Sequence, residues 1–250
     1  MQILNNFLTP FYKDIKSLIL DTLFPVYCLS CETEGPKFIC DDCAGKFTLL
    51  PHQFCIVCQK MSIGGLTHPK CLRPYTADGL ICIYDYMDEK VSNLLIKGKY
   101  SFLPDVYKEI GAIIANAVKT NFPHLLRPQP LALCCVPLHW MRQNWRGFNQ
   151  SQILAKALAE HLDLPFSDAL IRKKFTRTQK NLKKPERIKN LENAFALSAS
   201  SPLEGERGVR GNNFILIDDV TTTGQTLSEA AKVLKRNGTQ KVWCLTVARD

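Results

Sequence analysis

The stretch Phe214–Thr226, FILIDDVTTTGQT, limits the fold of this chain more than any other. Four apolar residues run unbroken into Asp218 and Asp219, and three threonines, a glycine, a glutamine and a fourth threonine follow after Val220. A short apolar run of this kind reads as a buried strand. The pattern QTLSEAAKVLKRNG over 225–238 then reads as a helix closed by Gly238. In open α/β sheets ligands bind at the carboxyl ends of strands, which is where the two acids stand. Backbone N–H groups at a helix start favour an anion, and Gly224 lets the backbone close around it. Thr222, Thr223 and Thr226 add hydroxyl donors, while the carboxylates can accept from sugar hydroxyls or hold Mg²⁺ directly or through water. A ligand matching both halves carries a phosphate close to a vicinal diol, as a ribose 5-phosphate does. Two other readings are acids that merely cap a helix, and a general Mg²⁺ site of a phosphatase or receiver domain. The glycine loop behind the acids speaks against the latter, and no GxxxxGK[ST] loop occurs.

The rest of the chain places this segment in an alternating architecture. GLICIYDY (79–86), LALCCVPL (131–138), FILID (214–218) and KVWCLTVAR (241–249) read as strands. Helical spacing of apolar residues occurs over 105–120 and 149–162. Strands alternating with helices predict a mostly parallel, doubly wound sheet covered on both faces. Upstream, residues 1–24 carry an amphipathic helix, with Phe11, Ile15, Leu18, Ile19 and Leu23 on one face. Residues 25–75 form a cysteine-rich module, and 76–250 the α/β domain.

Seven of the eleven cysteines fall between positions 28 and 71. They make the pairs Cys28/Cys31, Cys40/Cys43 and Cys55/Cys58, with His68/Cys71 as a fourth in which histidine replaces one thiol. Each has the spacing of a metal knuckle, and eight ligands suit two tetrahedral Zn²⁺ ions, one Cys₄ and one Cys₃His. Consecutive and alternating pairings both remain open at this level, as does a single Zn²⁺ with spare thiols. Cys82, Cys134, Cys135 and Cys244 lie in apolar strands and read as small buried hydrophobes. Many cysteines in metal-knuckle spacing fit a reducing compartment. No apolar run is long enough to span a bilayer, and no secretory leader pattern is visible at the start. The chain therefore reads as cytoplasmic.

The net charge is +9, and it is unevenly spread. Residues 172–189 hold nine bases and one acid, whereas residues 1–75 hold seven bases and six acids. A local excess of this kind suits an anion-binding loop or a solvated one. Pro185 breaks any continuous helix there.

FILIDDVTTTGQT resembles the phosphoribosyl-diphosphate (PRPP) motif of type I phosphoribosyltransferases, with Thr221 where many members carry an aliphatic residue. VPLHWMRQNWRGFNQSQILAKALA (136–159), RTQKNLKKPERIKNLENAF (177–195) and the cysteine-rich start extend the likeness. Together they resemble the ComF family, phosphoribosyltransferase-like proteins associated with natural competence and the use of incoming DNA. The resemblance implies a type I phosphoribosyltransferase core behind a small zinc-ribbon module. It implies that Asp218 and Asp219 hold the ribose, and that Thr221, Thr222, Thr223, Gly224, Gln225 and Thr226 wrap its 5-phosphate. His139, Arg142 and Arg146 would then lie near the diphosphate, with Arg177, Lys180 and Arg187 on a loop that closes over it. The implied chemistry is attack of a nitrogen nucleophile on C1 of PRPP with Mg²⁺-bound diphosphate leaving, and the acceptor base is not legible. Trp140, Trp145 and Phe148 read more readily as packing residues, and His139 as a surface or packing histidine. The rival reading is a nucleic-acid-binding adaptor of the DNA-uptake machinery. In it the zinc module and basic stretch hold single-stranded DNA, and the sugar-phosphate pocket serves as a sensor or a vestige.

Overall fold

The computed structural model describes residues 25–100, 103–127, 129–174, 191–198, 209 and 211–250. The expected helix at 9–24, the bases Arg177, Lys180 and Arg187, and the side chains of Arg142 and Arg146 lie outside the described residues. The chain forms two compact units, Met1–Lys46 and Phe47–Asp250.

In the first unit, Tyr27 bridges Glu34 in antiparallel fashion, and the one-turn helix α1 spans Asp41–Ala44. Cys28 and Cys43 are buried there.

The second unit is built on four parallel strands: β3 (Gly79–Asp85), β4 (Leu131–Cys135), β7 (Asn213–Thr221) and β8 (Val242–Arg249), in the order β3-β8-β7-β4. Leu133 also pairs in parallel with Phe166, extending the β4 edge by one bridge. Helices α2 (Glu89–Tyr100) and α3 (Pro104–Asn121) link β3 to β4, α4 (Trp140–Arg146) and α5 (Gln150–Leu162) follow β4, and α6 (Gln225–Arg236) links β7 to β8. Two small antiparallel hairpins complete it: β1 (Gln53–Phe54) with β2 (Met61–Ser62), and β5 (Leu170–Arg172) with β6 (Phe195–Leu197).

Alternation along each strand divides the core into two layers. Leu80, Cys82, Ala132, Cys134, Phe214, Leu216, Val242 and Cys244 join Leu227, Ala230, Ala231 and Leu234 of α6 in one cluster. The intervening residues, including Ile81, Leu133, Ile215, Ile217 and Leu245, are equally buried and face the other way, where α5 packs on β4 and β7. This is the predicted doubly wound α/β sheet. The four strand cysteines are all buried, as their apolar surroundings led one to expect.

Three sequence expectations shift in detail. β4 stops at Cys135 rather than 138, because Pro137 has no N–H to offer the ladder. β7 runs on to Thr221 instead of ending at 218, since β8 continues beside it and pairs Asp218 with Thr246, Val220 with Ala248 and Thr221 with Arg249. Helix α2 has no expected counterpart; it buries only Val91, Leu94, Leu95 and Gly98, too sparse an apolar face to declare itself.

Candidate functional site

The acidic pair sits near the carboxyl end of β7, and three side chains from other elements converge on it. Ser151 Oγ donates to Asp218 Oδ1 at 2.8 Å, which also accepts from the Asp219 N–H at 2.9 Å. Asp219 Oδ1 accepts from the Val220 N–H at 2.7 Å, and Oδ2 from Gln150 Nε2 at 3.2 Å and Lys99 Nζ at 2.8 Å. Gln150 and Ser151 open α5, where the Asn149 side chain caps the helix by accepting from the Ser151 N–H. That cap sets the first turn of α5 against the acids. Gln150 is 4% exposed, and its Oε1 has no hydrogen-bond partner among the described residues.

This arrangement separates the two carboxyls electrostatically. Burial and the adjacent charge of Asp219 push Asp218 up to about 7. Burial acts on Asp219 in the same direction, but the Lys99 ammonium, with its hydrogen bond, holds that carboxyl below the ordinary aspartate range. Lys99 in turn is raised: burial opposes its charge, and Asp219 more than offsets that. Lys99, Gln150 and Ser151 are site residues that sequence reasoning missed. The polar pair Gln150–Ser151 at the head of an otherwise apolar helical pattern was the available signal; nothing marks Lys99.

Beyond the acids, Thr221 is buried and its Oγ1 accepts from the Gly224 N–H at 3.0 Å. Its hydroxyl shapes the loop from within. Gly224 adopts a left-handed conformation, φ 69°, and stands at the N-cap of α6 without a side-chain cap. The first intrahelical acceptor is Gly224 O, bonded by Ser228 N at 2.8 Å. The N–H groups of Gln225 and Leu227 therefore precede any intrahelical partner. No acidic residue occupies the first turn. Thr222, Thr223, Gln225 and Thr226 are all half-buried around this helix start.

Downstream of β4, His139 is 5% exposed and caps α4, its Nδ1 accepting from the Met141 N–H at 3.3 Å. Arg142 and Arg146 lie on the same seven-residue helix, which Gly147 ends at φ 77°. Trp140 and Trp145 are 63% and 65% exposed, so they do not pack into the core. Phe148 does, its ring 6.1 Å from that of Tyr107.

The cysteines resolve into consecutive pairs. Cys28, Cys31, Cys40 and Cys43 form one group and Cys55, Cys58, His68 and Cys71 another, with all ligand atoms of a group within 4.8 Å of one another. Around tetrahedral zinc with Zn–S near 2.3 Å, sulfur atoms lie about 3.8 Å apart. Cys31 and Cys40 are separated by 3.7 Å, and Cys58 Sγ lies 3.3 Å from His68 Nδ1. His68 Nε2 lies 3.1 Å from Met61 O, the outer hydrogen bond that would leave Nδ1 to face a metal. Both donor sets fit Zn²⁺. The first group belongs to the unit ending at Lys46 and the second to the unit that holds the sheet.

Comparison with known proteins agrees with both halves of this description. A phosphoribosyl transferase domain matches residues 149–250, and a double zinc ribbon domain matches residues 19–72. A DNA utilization protein YhgH of Salmonella typhimurium is 42% identical over 181 residues, covering 70% of this chain and 75% of that one. Competence protein ComFC of Bacillus subtilis is 30% identical over 214 residues, 80% of this chain and 79% of that one. Competence protein F of Haemophilus influenzae is 29% identical over 229 residues, 85% and 97% of the respective chains.

Proposed function

The chain belongs to the ComF family of competence and DNA-utilization proteins, and from that premise we propose that its phosphoribosyltransferase-like domain binds PRPP together with Mg²⁺. The observation that carries this reading is the pairing of a half-buried and a buried carboxylate, Asp218 and Asp219, with a helix start that has no side-chain cap, on one strand–loop–helix unit. The N–H groups at the head of α6, with Thr222, Thr223 and Thr226, receive the 5-phosphate. Asp218 and Asp219 accept from the ribose hydroxyls, and the unpartnered Gln150 Oε1 is a further buried acceptor beside them. A carboxyl raised to about 7 regains its charge when a cation or hydroxyl donors arrive, so Asp218 also suits Mg²⁺. Mg²⁺ held at Asp218 would supply positive charge to offset that developing on a departing diphosphate. Lys99 keeps Asp219 ionised, and Ser151 and Gln150 fix the orientation of the two carboxylates. Arg142 and Arg146 follow β4 and are the side chains to meet the diphosphate, their planar guanidinium forks suiting its oxygens. Zn²⁺ held by the two cysteine groups has a structural part, stapling segments too small to bury a core.

Calorimetric titration with PRPP in the presence of Mg²⁺ tests this reading. Saturable binding that is lost in the Asp218→Asn/Asp219→Asn double variant is expected; equal affinity in that folded variant refutes the assignment. A second reading, contact with single-stranded nucleic acid, is favoured by the two exposed tryptophans of α4 beside two arginines, since bases stack on such rings irrespective of sequence. Tryptophan quenching by oligothymidine without any PRPP binding would put that reading first.

A further inference from the structure

We propose that Gln59, in the second cysteine knuckle, is a positioning residue for the threonine–glycine loop, so that metal retention by Cys55, Cys58, His68 and Cys71 governs how well that loop receives a phosphate. The proposal rests on the phosphoribosyl reading only for the identity of the ligand; the mechanical link stands on contacts within the second unit. The backbone of the knuckle is tight: Gln59 N donates to Cys55 O at 2.9 Å, and Cys55 N to Lys60 O at 2.9 Å. Gln59 itself is left-handed, φ 61°. This geometry turns its side chain toward a segment 164 residues away. Gln59 Nε2 donates to Ile56 O at 2.7 Å and to Thr223 O at 3.1 Å. Its Oε1 accepts from Arg249 Nη2 at 3.1 Å, and that guanidinium lies 3.7 Å from the centre of the Phe54 ring.

The consequence follows from the planarity of one peptide group. Thr223 C=O and Gly224 N–H belong to the same rigid unit and point in opposite directions. Gln59 holds the carbonyl end, and Thr221 Oγ1 holds the N–H end at 3.0 Å. With both ends gripped the plane cannot rotate, and its orientation sets where the next N–H groups, those of Gln225 and Thr226, are aimed. Sterics reinforce the grip. Ile56 is buried, and a Cβ on Gly224 would come within 2.9 Å of Ile56 Cγ1. The knuckle thus packs against the loop where glycine leaves room. The knuckle's own regular structure is a hairpin of two-residue strands, so it depends on its metal for shape. When the metal leaves, one end of the Thr223–Gly224 peptide is released.

Two variants of the full, zinc-loaded chain separate this from a general stability effect. Gln59→Ala removes the side-chain contacts to Ile56 O, Thr223 O and Arg249. Gln59→Glu keeps length and the acceptor for Arg249 but loses the N–H that holds Thr223 O. Both should retain two zinc ions and a near-native melting temperature. Amide exchange at residues 221–226 should quicken by about tenfold, as expected for loss of one or two hydrogen bonds. PRPP affinity should fall by a similar factor. Cys58→Ser, which removes the second metal, should quicken the same amides at least as much. Unchanged exchange at 221–226 in Gln59→Glu with zinc retained overturns the brace, and unchanged exchange in Cys58→Ser after proven metal loss overturns the coupling. If the wild-type chain binds no PRPP, the phosphoribosyl reading fails by itself, and the exchange data still decide the brace.

Discussion

Replacing Asp218 by asparagine should make the protein more stable above neutral pH while impairing ligand binding. Burial and the charge of Asp219 push Asp218 up to about 7 in the folded chain. An unfolded aspartate titrates near 3.9. Between these values the folded carboxyl keeps a proton that the unfolded chain has already lost, so stability falls as pH rises and the loss is complete above about 7. Three pH units at about 1.36 kcal/mol each give roughly 4 kcal/mol of stability surrendered by pH 8. Asparagine has no such loss, and its Oδ1 can keep the hydrogen bonds from Ser151 Oγ and Asp219 N. The measurement is a pair of thermal melts at pH 6 and pH 8 in Mg²⁺-free buffer, a range in which thiolate–zinc bonds survive. The advantage of the variant should grow by about 1.4 kcal/mol between the two conditions, or roughly 3–6 °C for a unit of this size. PRPP affinity of the variant should fall at least tenfold, because a neutral amide is a weaker acceptor for sugar hydroxyls and metal. A variant less stable than wild type at pH 8, or an advantage that does not change between pH 6 and 8, would refute the account of a carboxylate held at a cost for function.

Three further outcomes follow from the packing. Gly111→Ala should destabilise by about 1–3 kcal/mol in a thermal melt despite the higher helix propensity of alanine, because the new Cβ would lie 2.6 Å from that of Ala157 where α3 crosses α5. Cys31→Ser and Cys58→Ser should each lower bound zinc from two ions to one, and the double variant to none, as metal analysis of tag-free protein would read; a loss of both ions from either single change would contradict two separate groups. Lys99→Met leaves Asp219 buried with neutral donors only, and should cost about 3 kcal/mol at pH 8, diminishing toward pH 6 as Asp219 takes up a proton.

The alternation of elements, the position of the acids beside a glycine-broken loop, and the eight candidate metal ligands are all legible in the sequence. These are encoded within short windows: a period of two or 3.6 residues, a charge pair, a spacing of two between cysteines. The tertiary structure alone brings particular cysteine pairs together, since spacing within a pair says nothing of which two pairs meet. It also decided that β7 runs past its acids, because that extension exists by virtue of β8 lying alongside. The same holds for the side chains around the site. Lys99 and Ser151 reach the acids from α2 and α5, and Gln59 reaches Thr223 across 164 residues. Lys99 and Gln59 belong to no periodic pattern that could announce them, and Ser151 is marked only as half of a polar pair at the head of a helical pattern. Their roles come from where the layers bring separate segments together, and that depends on packing summed over the whole core, which no local stretch of the chain contains.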